Sequence, residues 1–160
     1  MAIQVGDRLP DVTFRTMSAE GPKPVSTKDV FGGRKVVLFA VPGAFTPGCH
    51  RKHLPGYLEN IDALKAKADA VAVTAVNDVF VMDAWAKASD ADGKIEFLSD
   101  GNGDFAKAVG LDLDASAGGL GTRSKRYAMV VEDGVVKHLA LEDAPSNITV
   151  SAADSMLKAL

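Results

Sequence analysis

Short apolar runs bounded by turn residues alternate along the chain with stretches whose apolar positions recur every three or four residues. Val36-Val37-Leu38-Phe39-Ala40 follows Gly32-Gly33 and predicts a buried strand. Val71 to Val76 and Ile95 to Leu98 predict two more. Between the first two runs, Leu54, Tyr57, Leu58, Ile61 and Leu64 have helical spacing and predict the buried face of an amphipathic helix. Pro55-Gly56 lies inside that pattern and predicts a kink or an interruption. Asn77-Asp78 predicts the end of the second strand and the cap of a helix carrying Val79, Phe80, Met82 and Trp85. A short helix is expected from Asp104 to Val109.

The remaining pattern is less regular. Pro10, Gly21, Pro22 and Pro24 break the first 30 residues into expected edge strands and loops. Residues 112–124 contain three glycines and read as loop. Arg126 to Val131 and Val135 to Leu139 flank Glu132-Asp133-Gly134, predicting a hairpin with a bulged three-residue turn. Ser151 and Asp154 predict a capping box opening a last helix that runs through Leu157 to Leu160. Helices interspersed with strands and followed by a hairpin imply an α/β fold, a mixed sheet flanked by helices, in one domain over residues 1–160.

Composition narrows the function classes. The 18 basic and 21 acidic residues give a net charge of -3, which argues against broad nucleic-acid binding. No apolar run approaches the roughly 18 residues needed to span a bilayer, and the N-terminus lacks the features of a secretory signal. One cysteine leaves no intrachain disulfide, so a reducing, cytoplasmic setting is expected. Gly118-Gly119-Leu120-Gly121 misses the spacing of a nucleotide cradle, and Cys49 with His53 supplies only two of a zinc site's four ligands. Neither an organic cofactor nor a metal is expected.

The most informative segment is Pro42-Gly43-Ala44-Phe45-Thr46-Pro47-Gly48-Cys49. Thr46 suits an N-cap and Pro47 the first helical position, which puts Cys49 in the first turn. There, unpaired backbone N–H groups and the helix dipole favour a thiolate, the nucleophilic form. Gly48 permits close approach to the backbone. Thr46 can cap the helix or donate to a bound substrate. His53, four residues beyond Cys49, can share its face, whereas His50 points round the helix. An inert, buried core cysteine remains an equal reading of these residues alone.

That segment, with His53-Leu54-Pro55-Gly56, Val76-Asn77-Asp78, Phe80-Val81-Met82, Ala84-Trp85 and Arg126-Tyr127, resembles the peroxiredoxins of the atypical type II, peroxiredoxin 5-like group. The resemblance covers nearly the whole chain. It implies a thioredoxin-like fold and a thiol-dependent peroxidase acting on hydrogen peroxide and organic hydroperoxides. By the same resemblance Cys49 is the peroxidatic cysteine, Thr46 positions peroxide, and Pro42 shields the pocket beside Phe45 and Gly48. Arg126 is the second active-site residue, in preference to Arg123, because it immediately precedes an aromatic residue and a strand. Phe45 and Phe80 are implied near a homodimer interface.

The chain lacks the second cysteine of many relatives, and Val73 stands where plant-like members carry theirs. That departure disfavours thioredoxin as the direct reductant, and by resemblance to related bacterial and plant enzymes a one-cysteine cycle regenerated by glutathione and glutaredoxin is expected, with thioredoxin as the competing reductant. A thiol-disulfide reductase is disfavoured by the missing Cys-x-x-Cys pair. A non-enzymatic redox-sensing module oxidised at Cys49 is the remaining alternative.

Overall fold

The computed structural model describes residues Met1–Leu160. Nine strands form: β1 (Thr13–Ser18), β2 (Gly21–Ser26), β3 (Lys35–Ala40), β4 (Ala70–Ala75), β5 (Glu96–Ser99), β6 (Asp112–Asp114), β7 (Thr122–Ser124), β8 (Tyr127–Glu132) and β9 (Val135–Leu141). Seven build one sheet in the order β2-β1-β5-β4-β3-β8-β9. At its centre β3 runs parallel to β4 and antiparallel to β8, and β4 runs parallel to β5. The sheet is mixed, as the pattern predicted, and the helices that cover it complete a thioredoxin-like fold.

These helices are α1 (Thr27–Phe31), α2 (Leu54–Glu59), α3 (Ile61–Lys65), α4 (Val79–Ala88), α5 (Asp104–Ala108) and α6 (Ala153–Ala159). Alternation along β3 feeds two cores. Val37 and Phe39 enter one with Tyr57, Leu64 and Trp85, while Val36, Leu38 and Ala40 enter the other with Phe14, Phe105 and Tyr127. Phe39 stacks on Tyr57 with ring centroids 3.9 Å apart, which fixes α2 against the centre of the sheet. Asp78 caps α4, its side chain accepting from the Val81 N–H, as expected from Asn77-Asp78.

Four expectations are corrected. The hairpin β8–β9 turns on two residues, because Glu132 pairs with Val135 and both Asp133 and Gly134 have positive φ. That is the geometry for which Asp-Gly is suited, and the bulge lies inside the ladder at Val130/Val131 instead. Residues 112–124 are not plain loop: β6 and β7 pair across a short turn at Ser116–Gly118. Within the first 30 residues, Ser26 and Asp29 form a capping box that starts α1, a helix absent from the sequence reading. Ser151 and Asp154 form no such box; α6 starts at Ala153 after an uncapped Ala152, since the Ser151 hydroxyl is drawn to Glu142.

No helix is long and apolar enough to cross a membrane.

Candidate active site

The chain leaves β3 at Ala40 and turns through Pro42–Thr46 before entering a helix at Pro47. Phe45 makes this turn with φ 64, a left-handed conformation that costs a bulky residue energy and has to be held from outside. Asn77 supplies one hold, its Oδ1 accepting from the Ala44 N–H at 2.9 Å. The Thr46 hydroxyl supplies another by donating to the Gly43 carbonyl at 2.6 Å. Thr46 therefore does not cap the helix with its side chain. Its carbonyl accepts the first helical bond, from the His50 N–H at 2.8 Å.

Cys49 opens a π-helical turn, Cys49–His53, that runs directly into α2. The Leu54 N–H reaches back five residues to the Cys49 carbonyl instead of four. Pro55 explains the wider turn, because it lacks an N–H and its ring crowds the carbonyl four residues earlier. The expected helix is thus interrupted on both sides of Pro55-Gly56, by this wide turn upstream and by Asn60, which ends α2 before α3 begins at Ile61.

The Cys49 thiol is fully buried. Its side-chain partner is Arg126, whose Nη2 donates to Sγ at 3.1 Å. Arg126 stands at the entrance to β8 and is 4% exposed. Its Nε donates to the Pro145 carbonyl at 2.7 Å and its Nη1 to His53 Nδ1 at 2.7 Å. Because an arginine only donates, His53 Nδ1 accepts, and the ring proton sits on Nε2, pointing at the Ser151 carbonyl 3.0 Å away. Burial, together with the charge of Arg126, lowers the His53 pKa to about 4, so the imidazole is neutral at physiological pH.

No carboxylate pairs with Arg126. A buried guanidinium with one carbonyl, one neutral imidazole and one sulfur as partners lacks a counter-charge. The Cys49 sulfur, 3.1 Å from Nη2, is the group of this cluster that the guanidinium faces without an intervening carboxylate.

Among the predicted site residues, Cys49, His53 and Arg126 meet in this cluster. Gly48 lies beside it: a Cβ added there would sit 3.4 Å from Arg126 Nη2 and 3.4 Å from Ile148 Cδ1. Pro42 is half-buried at the start of the turn, and Phe45 is 46% exposed with its ring 5.5 Å from that of His50. Arg123 donates to the Leu120 and Val76 carbonyls, with its Nη1 beside Gly43 and no bond to Sγ. His50 faces α4, where its Nδ1 accepts from Trp85 Nε1 at 3.1 Å. Two residues escaped the sequence reading. The apolar spacing places Tyr57 in the core, yet its hydroxyl donates to the Ser151 carbonyl at 2.7 Å, and Glu142 gathers the Thr149 and Ser151 donors. No three His, Cys, Asp or Glu side chains converge as metal ligands.

The redoxin family model matches residues 4–157 of the chain. Peroxiredoxin-2E-2, chloroplastic, of Oryza sativa subsp. japonica is 49% identical over 164 residues, covering 99% of this chain and 72% of the rice protein. The crystal structure of reduced Prx3 from Vibrio vulnificus in complex with hydrogen peroxide is 47% identical and superposes with a TM-score of 0.93 over 98% of each chain. A 1-Cys peroxiredoxin, the Plasmodium falciparum antioxidant protein, is 26% identical with a TM-score of 0.89 over 96% of each chain. The chain belongs to the redoxin family and, within it, to the peroxiredoxins related to the type II, peroxiredoxin 5-like group. Peroxiredoxin-type thiol peroxidase activity with a single catalytic cysteine follows from that membership.

Proposed function

We propose that Cys49 reduces hydrogen peroxide and organic hydroperoxides in a one-cysteine cycle completed by glutathione and glutaredoxin. The observation that carries this reading is the 3.1 Å contact between a buried, carboxylate-free Arg126 and the only thiol of the chain. The Cys49 thiolate attacks one peroxide oxygen, the O–O bond breaks, and the second oxygen leaves as water or an alcohol after taking a proton. Cys49 becomes a sulfenic acid. Arg126 has five N–H donors, three of them engaged with Pro145, His53 and Cys49, which leaves two for the oxygen that gains charge. Thr46, released from Gly43, is the second donor proposed for peroxide, with Pro42, Phe45 and Gly48 as the pocket walls.

Glutathione then condenses with the sulfenic acid to a mixed disulfide and water, and a second thiol frees Cys49 by exchange. Val73 supports an external reductant, since it lies fully buried in β4 and offers no thiol. A reducing cytoplasmic setting and a single functional domain fit this cycle. A homodimer is proposed through the face bearing Phe45 and Phe80, which are 46% and 65% exposed.

Stopped-flow oxidation of the reduced protein by hydrogen peroxide and by an organic hydroperoxide tests the reading, with mass spectrometry of the product. Cys49→Ser is expected to fold and to lose all peroxide reduction; activity persisting in it would sink the mechanism. Steady-state turnover with glutathione and glutaredoxin against turnover with thioredoxin decides the reductant. Sedimentation of the wild type and of Phe80→Arg decides the dimer.

A further inference from the structure

Glu142 stands just beyond β9 and is 7% exposed, yet no cation pairs with it. Its carboxylate instead accepts four hydrogen bonds, all from residues seven and nine positions later. Thr149 gives its N–H at 2.8 Å and its hydroxyl at 2.8 Å; Ser151 gives its N–H at 2.8 Å and its hydroxyl at 2.5 Å. Burial alone would raise the pKa of such a group, but these donors outweigh it and hold the carboxyl below its ordinary value. Residues 142–151 are thereby closed into a loop whose ends are clasped by one side chain.

That loop carries the acceptors which aim the site. The Pro145 carbonyl takes Arg126 Nε, and the Ser151 carbonyl takes both His53 Nε2 and the Tyr57 hydroxyl. Ile148, in the same loop, reaches over Gly48 beside Arg126 Nη2. The Glu142 N–H donates to the Arg126 carbonyl at 3.1 Å, so the clasp is also tied to the backbone of the arginine it serves. Two of the three engaged donors of Arg126, one direct and one through His53, depend on this segment, none of whose side chains bonds to Cys49 Sγ.

We infer that Glu142 is a positioning residue for peroxide reduction: its carboxylate clasps loop 143–151 so that the Pro145 and Ser151 carbonyls hold Arg126 and His53 in line with Cys49 Sγ. The inference rests on the peroxidase reading for its kinetic part only. Geometry at Arg126 is measurable without any turnover.

The test compares Glu142→Leu, which keeps volume and removes every acceptor, with Glu142→Gln, whose amide oxygen can still take the donors that now meet Oε2. In ¹⁵N-labelled wild type, the Arg126 Nε–H is expected to exchange slowly with solvent. In Glu142→Leu that exchange accelerates more than about tenfold, and stopped-flow oxidation by hydrogen peroxide slows about tenfold. Glu142→Gln returns both to within about threefold of wild type, a rescue that a purely electrostatic role would not give. In an Arg126→Gln background, Glu142→Leu has no further effect on the rate, because its path runs through the missing guanidinium. Should Glu142→Leu not fold, Thr149→Val with Ser151→Ala removes two of the four donors and is expected to slow oxidation about threefold. The inference is overturned by unchanged Arg126 exchange in the clasp variants, by Glu142→Gln failing as badly as Glu142→Leu, or by effects that multiply with Arg126→Gln. A wild type inert to peroxide but showing the exchange difference would fault the peroxidase reading and leave the clasp standing.

Discussion

Arg126 and Tyr127 are adjacent, buried and polar, and they face opposite sides of the sheet. On one side Arg126 spends three donors on named partners, and each partner is itself held: His53 by Ser151, Cys49 by the π-turn, Pro145 by the clasped loop. On the other, the Tyr127 hydroxyl is fully buried with no hydrogen-bond partner, as is the Thr74 hydroxyl. Burial of a polar group without a partner costs about 1–3 kcal/mol, and of an unpaired charge considerably more. The tyrosine side is a core that tolerates an imperfect fit. The arginine side is a polar network in which each engaged donor has a partner, the sulfur among them.

The strongest way to break this contrast is Arg126→Gln. Loss of a preorganised charged donor at the reacting atoms is expected to lower kcat/KM for hydrogen peroxide about 10²- to 10³-fold in a protein that still folds, read by stopped-flow kinetics and urea unfolding. A fall of less than about tenfold would put the arginine on a par with its neighbour.

The pH dependence of stability sharpens the contrast next. His53 has its pKa lowered in the folded state, so folding releases a proton and the neutral ring contributes stability fully above the unfolded value of 6.5. That contribution is lost as pH falls towards the folded value of about 4. Urea midpoints are therefore expected to decline across this window, and His53→Gln to remove roughly 2–3 kcal/mol of the decline. Equal pH slopes for both proteins would mean that His53 is not held neutral.

The smallest effect belongs to Tyr127→Phe, which deletes the unpartnered hydroxyl. Thermal unfolding is expected to show no loss of stability, or a gain of up to about 1 kcal/mol, with kcat/KM unchanged. A fall in activity would show that the second face also serves the chemistry.

The features legible in the sequence are those set by neighbours in the chain. The β3 and β4 runs, the Asp78 cap and the helix entrance before Cys49 each depend on a few consecutive residues. The Asp133-Gly134 turn is just as local, but its length depends on Glu132 pairing with Val135, which the residues of the turn alone do not reveal. What no local pattern carries is the wiring between His53 and Ser151, or between Arg126 and Pro145, which joins residues 98 and 19 positions apart. Ser151 has the local preference of a helix cap, but a long-range competitor, Glu142, takes its hydroxyl. In the sequence only the family resemblance separates Arg126 from Arg123. The geometry gives the physical counterpart, since only Arg126 reaches Sγ.

The π-turn also sets a phase relation. Along a regular α-helix, residues five apart stand about 140° out of step, so a buried Leu54 would leave Cys49 on another side of the rod. One extra residue in the turn brings the two back into step, and both are fully buried. The cysteine is thus synchronised with the apolar seam that begins at Leu54 and continues through Tyr57 to Leu64. Deleting a single residue between 50 and 53 would turn Cys49 by about 100° relative to that seam and carry the sulfur away from the arginine. The timing of the helix is as much a part of the site as the side chains that line it.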